Sequence, residues 1–241
     1  VARQAGQAEH VYLVAERPII SPKQAERLMS VLWQQSAGST LALFLVGRGD
    51  GRPALGVTSP NPLVAEDAAD VIARAVDGTA EPGFALIEEI LSAPHLGVRH
   101  ITPMYRGFRS DSQSWGWDRA DNLHDTYDLL RRVPAGRIAG FVLAFRTLPG
   151  LLAATSMMVF AAGGDGDEVE RVVYSLAATY AGTGARVSRL LNPRRFLLRG
   201  LRAQVSTTVS WLRPHSVIRV EEMSAFWHPR LSEVRASQGL T

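Results

Sequence analysis

The 241-residue sequence contains no cysteine. A disulfide framework, a thiolate metal site and a cysteine nucleophile are therefore excluded, while a reducing cytoplasm is permitted. Lysine is almost as scarce. Of the 26 basic residues one is Lys23 and the other 25 are arginine. Any lysine chemistry would fall to Lys23, which lies in the first turn of a predicted helix and reads as a solvated side chain. No G-x-x-x-x-G-K-S/T loop is present, so nucleotide phosphates cannot be cradled by the P-loop route. No G-x-S-x-G elbow is present either. His10, His95, His100, His215 and His228 show no spacing that suggests zinc. The opening segment, Val1–Gln7, is polar and small and does not read as a secretory signal. The longest apolar region, residues 138–164, is broken by Arg146 and by Pro149-Gly150. Each half is too short to cross a bilayer as a helix, and two buried strands account for it better.

Acidic residues are missing from one long stretch. Between Arg171 and Val220 there are nine arginines and no Asp or Glu. Residues 171–241 carry a net charge of +8 and residues 1–170 a net charge of −5, against +3 for the whole chain. Such asymmetry bears on partners and says nothing of fold.

What is present favours a folded chain. Hydrophobic residues make up 46%, charged residues 20%, and mean hydropathy is zero. That is enough to bury one large core or two small ones, and wholesale disorder is excluded. Residues 10–16 alternate as a strand. Ser21-Pro22-Lys23-Gln24 opens a helix with a Ser cap and Pro at its first position, and Ala25, Leu28, Met29 and Leu32 share one face. Residues 40–46 and 53–58 read as strands. Asn61-Pro62 caps a second helix that Gly78 ends. Residues 84–90 read as a further strand. The resulting order, β-α-β-β-α-β, is that of a split βαβ, ferredoxin-like module. Residues 96–109 read as an irregular strand and exit loop, 110–122 as a polar linker and 123–132 as a short helix. Residues 138–148 and 153–162 read as strands. Asp165-Gly166-Asp167-Glu168 introduces the clearest helix, with acids suited to the dipole of its first turn. Residues 186–190 read as a strand, Asn192-Pro193 opens a basic helix to about Ala203, and residues 217–220 form a last strand. The second half is thus a β-β-α-β-α-β unit, a rough repeat of the first in permuted order.

The expected fold is α+β: two ferredoxin-like modules, each with helices on one face of an antiparallel sheet. The expected division is a first module at 10–109, a linker and short helix at 110–136, a second module with a basic C-terminal half at 137–229, and a tail at 230–241.

Three segments are candidates for function. Gly47-Arg48-Gly49-Asp50-Gly51 is followed by a strand and not by a helix, so it reads as a hairpin turn and not a phosphate loop. Asp121, His124, Asp125 and Asp128, with Asp118 nearby, share a helix face; a solvated acidic face explains them without a metal, for which no further inward ligands are recognisable. The third is the basic run Arg186, Arg189, Arg194, Arg195, Arg199 and Arg202. On the helix, Arg195, Arg199 and Arg202 share one face while Phe196, Leu197 and Leu201, with Leu198 beside them, seek the core. The run is open to three readings: a solvated face, an interface with an acidic partner or an anionic membrane, and a phosphate-binding surface for nucleic acid. Few aromatics interleave with these arginines, which disfavours single-strand stacking.

The run Glu221-Glu222-Met223-Ser224-Ala225-Phe226-Trp227-His228-Pro229 ends an amphipathic turn in bulky aromatics. Phe226 and Trp227 either close the second core or anchor a following domain. This run resembles the E-L-A-x-L-W-H-x-P segment found just before the motor of TraG-like and HerA/FtsK-type transfer ATPases of conjugative and type IV secretion systems. Residues 141–149 and 154–190 are similar to strand and β-α-β parts of the ferredoxin-like modules in front of those motors. One departure is that Pro229 follows His228 directly. A weaker similarity is to soluble domains of type VII secretion core components.

The TraG-like resemblance implies a non-catalytic docking and assembly region without a cofactor. It would lie in the cytoplasm or against the inner face of the membrane and couple a separate ATPase motor to membrane channel components. Phe226, Trp227 and His228 would dock the motor, and Arg194, Arg195, Arg199 and Arg202 would form a contact surface. DNA and further copies of the chain are the other partners to consider.

Overall fold

The computed structural model describes residues 10–14, 22–102, 122–181, 185–205, 217–224 and 226–227. In chain order the elements are β1 (His10–Val14), α1 (Pro22–Gln35), β2 (Thr40–Gly47), β3 (Ala54–Ser59), α2 (Pro62–Ala75), β4 (Ala80–Pro82), α3 (Phe84–Ser92) and β5 (His95–Thr102). There follow α4 (Asn122–Arg131), β6 (Ile138–Leu148), β7 (Leu152–Gly163), α5 (Gly166–Ala181), β8 (Arg186–Arg189), α6 (Pro193–Leu201), β9 (Val217–Arg219) and a single turn, α7 (Val220–Met223).

Helix starts follow local chemistry. The Asn61 side chain accepts from the Leu63 amide at 3.1 Å, and Pro62 sets the first helical φ of α2. Asp165 Oδ1 accepts from the amides of Asp167 at 2.9 Å and Glu168 at 3.3 Å and so opens α5. Asn192 Oδ1 accepts from the Arg195 amide at 3.3 Å at the start of α6. Each cap binds backbone donors that have no carbonyl partner within the first turn. The segment Gly47–Gly51 lies in the β2–β3 hairpin connection, where Gly49 and Gly51 take positive φ. Residues 138–163 form the long hairpin β6–β7. Among the described residues no helix is long and apolar enough to cross a membrane.

Residues 84–90 are helical, which corrects the strand expected there. Leu86, Ile87 and Ile90 are buried at helical spacing, while Glu88 and Glu89 are exposed. A short apolar run does not separate strand from helix by itself, and the two glutamates mark the solvent side of a helix. The strand role passes to Ala80–Pro82, which pairs antiparallel with β1.

All nine strands among the described residues join one antiparallel sheet. Its order is β4-β1-β3-β2-β6-β7-β5-β8, with β9 added against β7. The seam between the halves is β2 on β6, from Thr40↔Arg146 to Gly47↔Ala139. Strand β5, which falls within the first expected module, pairs with β7 and β8 of the second half.

Helices cover both faces of this sheet, which corrects the expectation of one helical face. Leu41, Leu43, Leu45, Phe141, Leu143 and Phe145 face one core, shared with α1, α2, α4 and α5. Ala42, Phe44, Val46, Val142, Ala144, Met158 and Phe160 face the other, shared with Leu86, Ile87 and Ile90 of α3 and Leu197 and Leu201 of α6. Strands buried on both sides lose the apolar–polar alternation and read as continuous hydrophobic runs, as β2 and β6 do. In the first core Tyr180 of α5 stacks on Phe141 with ring centroids 5.0 Å apart.

Candidate functional site

The basic run spans β8, a short loop and α6. Strand β8 is the sheet's last strand, bonded to β5 on one side. Glu170 of α5 pairs with Arg99 of β5 and, at 4.0 Å, with Arg189. The chain then passes through Leu190 and Leu191 into α6, which lies across the second core beside α3. Gly200 permits the close seat: a Cβ there would collide with the Met158 methyl.

The four arginines expected to form one contact surface divide. Arg194 reaches the C-terminal end of α3. Its guanidinium donates to the carbonyl oxygens of Leu91, of Ala93 at 2.5 Å and of Pro94 at 3.5 Å. These are the carbonyls that a helix end and its exit leave without an intrahelical donor. Arg194 is thus a clamp between the two helices of this face. Arg195 and Arg199 are exposed, whereas Arg202 is half-buried. Arg195 and Arg199 lie one turn apart and present their charge to solvent.

The division gives a stability test. Arg194→Gln lowers the unfolding free energy by about 1 kcal/mol through lost charge-assisted bonds. Arg195→Ala and Arg199→Ala each stay within about 0.5 kcal/mol of the parent, as exposed substitutions do. Urea denaturation of the three variants measures both.

The phase of α6 differs from the sequence reading at one apolar position. Leu197 and Leu201 are buried as expected, but Phe196 is 41% exposed, and Leu191 before the cap is 104% exposed. Sequence reasoning missed Leu191. Its place directly before the Asn192 cap suggests packing on the fourth helical residue, Phe196, and so gave no sign of its exposure.

Phe226 and Trp227 sit far from solvent. Both are 0% exposed and belong to the core shared with α1, together with Met223. Strand β9 pairs Val217, Ile218 and Arg219 with Ala154, Ala153 and Leu152. The Glu222 carboxylate accepts from the Arg219 amide at 2.9 Å, and the amides of Phe226 and Trp227 donate to Met223 O at 3.0 and 3.1 Å. Of the two roles open to these aromatics, closing a core is the one their burial shows. Their side chains fasten their own segment to their own core. His228 lies outside the described residues.

Among the described residues, no group of three or more His, Asp or Glu side chains is placed to hold a metal ion. Asp118, Asp121 and the His124 side chain lie outside them; Asp125 is exposed on α4 and Asp128 half-buried. Burial, followed by Glu66 and Asp70 on α2, raises the Tyr12 phenol above its ordinary 10.0. Tyr12 therefore stays neutral at physiological pH. It lies on β1, in the other half of the sheet from α6.

No protein-family model matches the chain, and no curated protein matches it. Similar solved structures include 6-hydroxy-D-nicotine oxidase from Arthrobacter nicotinovorans, at 10% identity and a TM-score of 0.40, covering 87% of this chain and 53% of that one. Another is a xylooligosaccharide oxidase from Myceliophthora thermophila in complex with xylobiose, at 8% identity and a TM-score of 0.39, covering 94% of this chain and 56% of that one. The chain thus spans about half the length of both oxidases. Likeness at this level carries no inference about its activity.

Proposed function

We propose that the chain is a non-catalytic docking and assembly region of a conjugative or type IV secretion-type translocation machine, coupling a separate ATPase motor to a membrane channel. In this reading it holds two ferredoxin-like modules. The first is β1-α1-β2-β3-α2-β4, with sheet order β4-β1-β3-β2. The second is β5-α4-β6-β7-α5-β8, with sheet order β8-β5-β7-β6. Each order places the first strand of its unit between the third and the fourth, as a split βαβ requires. The helices of both units lie on one face, and each unit is followed by a helix on the other, α3 and α6. In this reading the second module begins at β5 and its strands follow one another in the same order as those of the first.

The observation that carries the proposal is the seating of Met223, Phe226 and Trp227. The segment that resembles the pre-motor signature is locked into the core beside α1. A motor that packs on this segment would be coupled to the double module through buried side chains.

The test begins with the coding context. A Walker A ATPase encoded in the same frame or beside it is expected, and the purified chain should co-elute with that ATPase on size exclusion. A locus without such a motor, or a motor that elutes separately, overturns the assignment. The second reading, a nucleic-acid-binding module, is favoured only by the exposure of Arg186, Arg189, Arg195 and Arg199, since the Arg194 guanidinium is engaged by the carbonyls at and just after the end of α3.

A further inference from the structure

We infer that the corner made by the β8–α6 loop and the first turns of α6 is a docking surface for an anionic lipid bilayer. The inference stands apart from the proposed coupling to a motor, because it needs only this corner.

Two observations meet there. The first is exposed apolar surface. Among the described residues the large hydrophobic side chains standing in solvent are Leu63, Leu151, Tyr174, Leu191 and Phe196. Leu63, Leu151 and Tyr174 lie on separate elements, whereas Leu191 and Phe196 flank the cap of α6. The full exposure of Leu191 shows that it does not fold back onto Phe196. Both are left to the outside by the seating of Leu197 and Leu201 in the core.

The second is charge of one sign. Arg194, Arg195 and Arg199 on α6, and Arg186 and Arg189 on the preceding β8, are all exposed. No acidic residue occurs between Arg171 and Val220. Glu170, the acid that reaches Arg189 at 4.0 Å, also pairs with Arg99, and Glu89 of α3 pairs with Arg48.

The combination selects the partner. A nucleic-acid backbone would reward the arginines and leave Leu191 in water. An anionic bilayer satisfies both sets. Guanidinium groups sit at headgroup level, and a leucine and a phenylalanine enter the acyl boundary. Gly200 and the Arg194 clamp hold α6 flat on the sheet, so the anchors are presented without ordering a loop on binding.

Flotation of the whole chain with vesicles of phosphatidylglycerol and phosphatidylcholine, against phosphatidylcholine alone, tests the inference. Binding to the mixed vesicles only is expected. Arg195→Gln/Arg199→Gln should weaken partitioning roughly twentyfold, since each arginine near an anionic surface contributes about fivefold. Leu191→Ser/Phe196→Ser should weaken it by about tenfold or more. Both double variants should melt like the parent, because all four side chains stand in solvent. Absence of binding to the anionic vesicles overturns the inference, as does binding indifferent to Leu191→Ser/Phe196→Ser. Preference for duplex DNA over the vesicles, lost in the arginine variant alone, would make the corner a nucleic-acid surface instead. Co-elution with a motor should survive both variants, so failure of that reading and failure of this one are told apart.

Discussion

Trp227→Ala should lower the unfolding free energy by about 4 kcal/mol, the range expected for truncating a fully buried aromatic. Trp227 is the largest of the fully buried side chains. It lies in the core between α1 and the β9–α7 segment, with Phe226, Met223 and Leu32 in the same cluster. The backbone ties of that segment are few: three residue pairs on β7 and the Val220 amide donating to Leu151 O at 3.0 Å. Side-chain burial therefore does most of the fastening. The indole Nε1–H is buried with no hydrogen-bond partner among the described residues. Trp227→Phe removes that unmade bond along with some volume and should cost about 1–2 kcal/mol, well below the alanine variant. Urea melts measure both as midpoint shifts at unchanged slope. An alanine variant within about 0.5 kcal/mol of the parent would fit a solvent-facing anchor and contradict the burial described.

The same variant bears on the proposed role. An exposed anchor and a buried one both tolerate the sequence Phe226-Trp227, because large aromatics serve cores and interfaces alike. Only placement separates them. A buried anchor predicts that association with a motor declines in step with folding stability across Trp227 variants, instead of being lost at full stability.

Other features were open to sequence reading because their causes are local. The Asn61-Pro62, Asp165 and Asn192 starts each bring an acceptor to amides within three residues, and all three helices begin there. The hairpin at 48–53 follows from glycines at positions of positive φ. What escaped is non-local. Strand β5 looked irregular because its meaning lies in partners far along the chain, Val159 and Arg189 on either side of Arg99. Its own residues, His95 to Thr102, lack a clean alternation. The second helical face was written in β2 and β6, whose even and odd positions are equally apolar, yet which helices cover which side depends on crossover connections. Arg194 was legible as a charge but not as a clamp, since its acceptors are main-chain oxygens of the end of α3 and of the two residues after it, and carry no side-chain signature. The wrong side given to Phe196 is a phase error of one residue, corrected by the seating of Gly200 on Met158.

Gly140→Val should cost about 3 kcal/mol, the upper part of the range for overpacking. Gly140 lies on β6 at the seam of the two halves, opposite Val46 of β2 and Phe160 of β7. A Cβ there would collide with the carbonyl oxygen of Leu45 and meet the Phe160 ring at 2.8 Å. The ring could turn aside only within a filled core, and the carbonyl belongs to the seam ladder and cannot. Hairpin β2–β3 repeats the device, with Gly56 opposite Phe44 and under its ring. In both places a glycine makes room for a cross-strand aromatic that fills the face under α3 and α6. The penalty at Gly140 falls on the strand pair that makes one sheet of two units. If the units stand only through each other, the variant still unfolds in a single transition at lower urea. If each is stable alone, opening the seam splits the melt into two. Gly164→Ala is the control, for Gly164 is exposed and a Cβ there meets nothing within 4 Å. Its melt should overlay the parent's to within about 0.5 kcal/mol, so that a shift seen only at Gly140 reports the blocked seam.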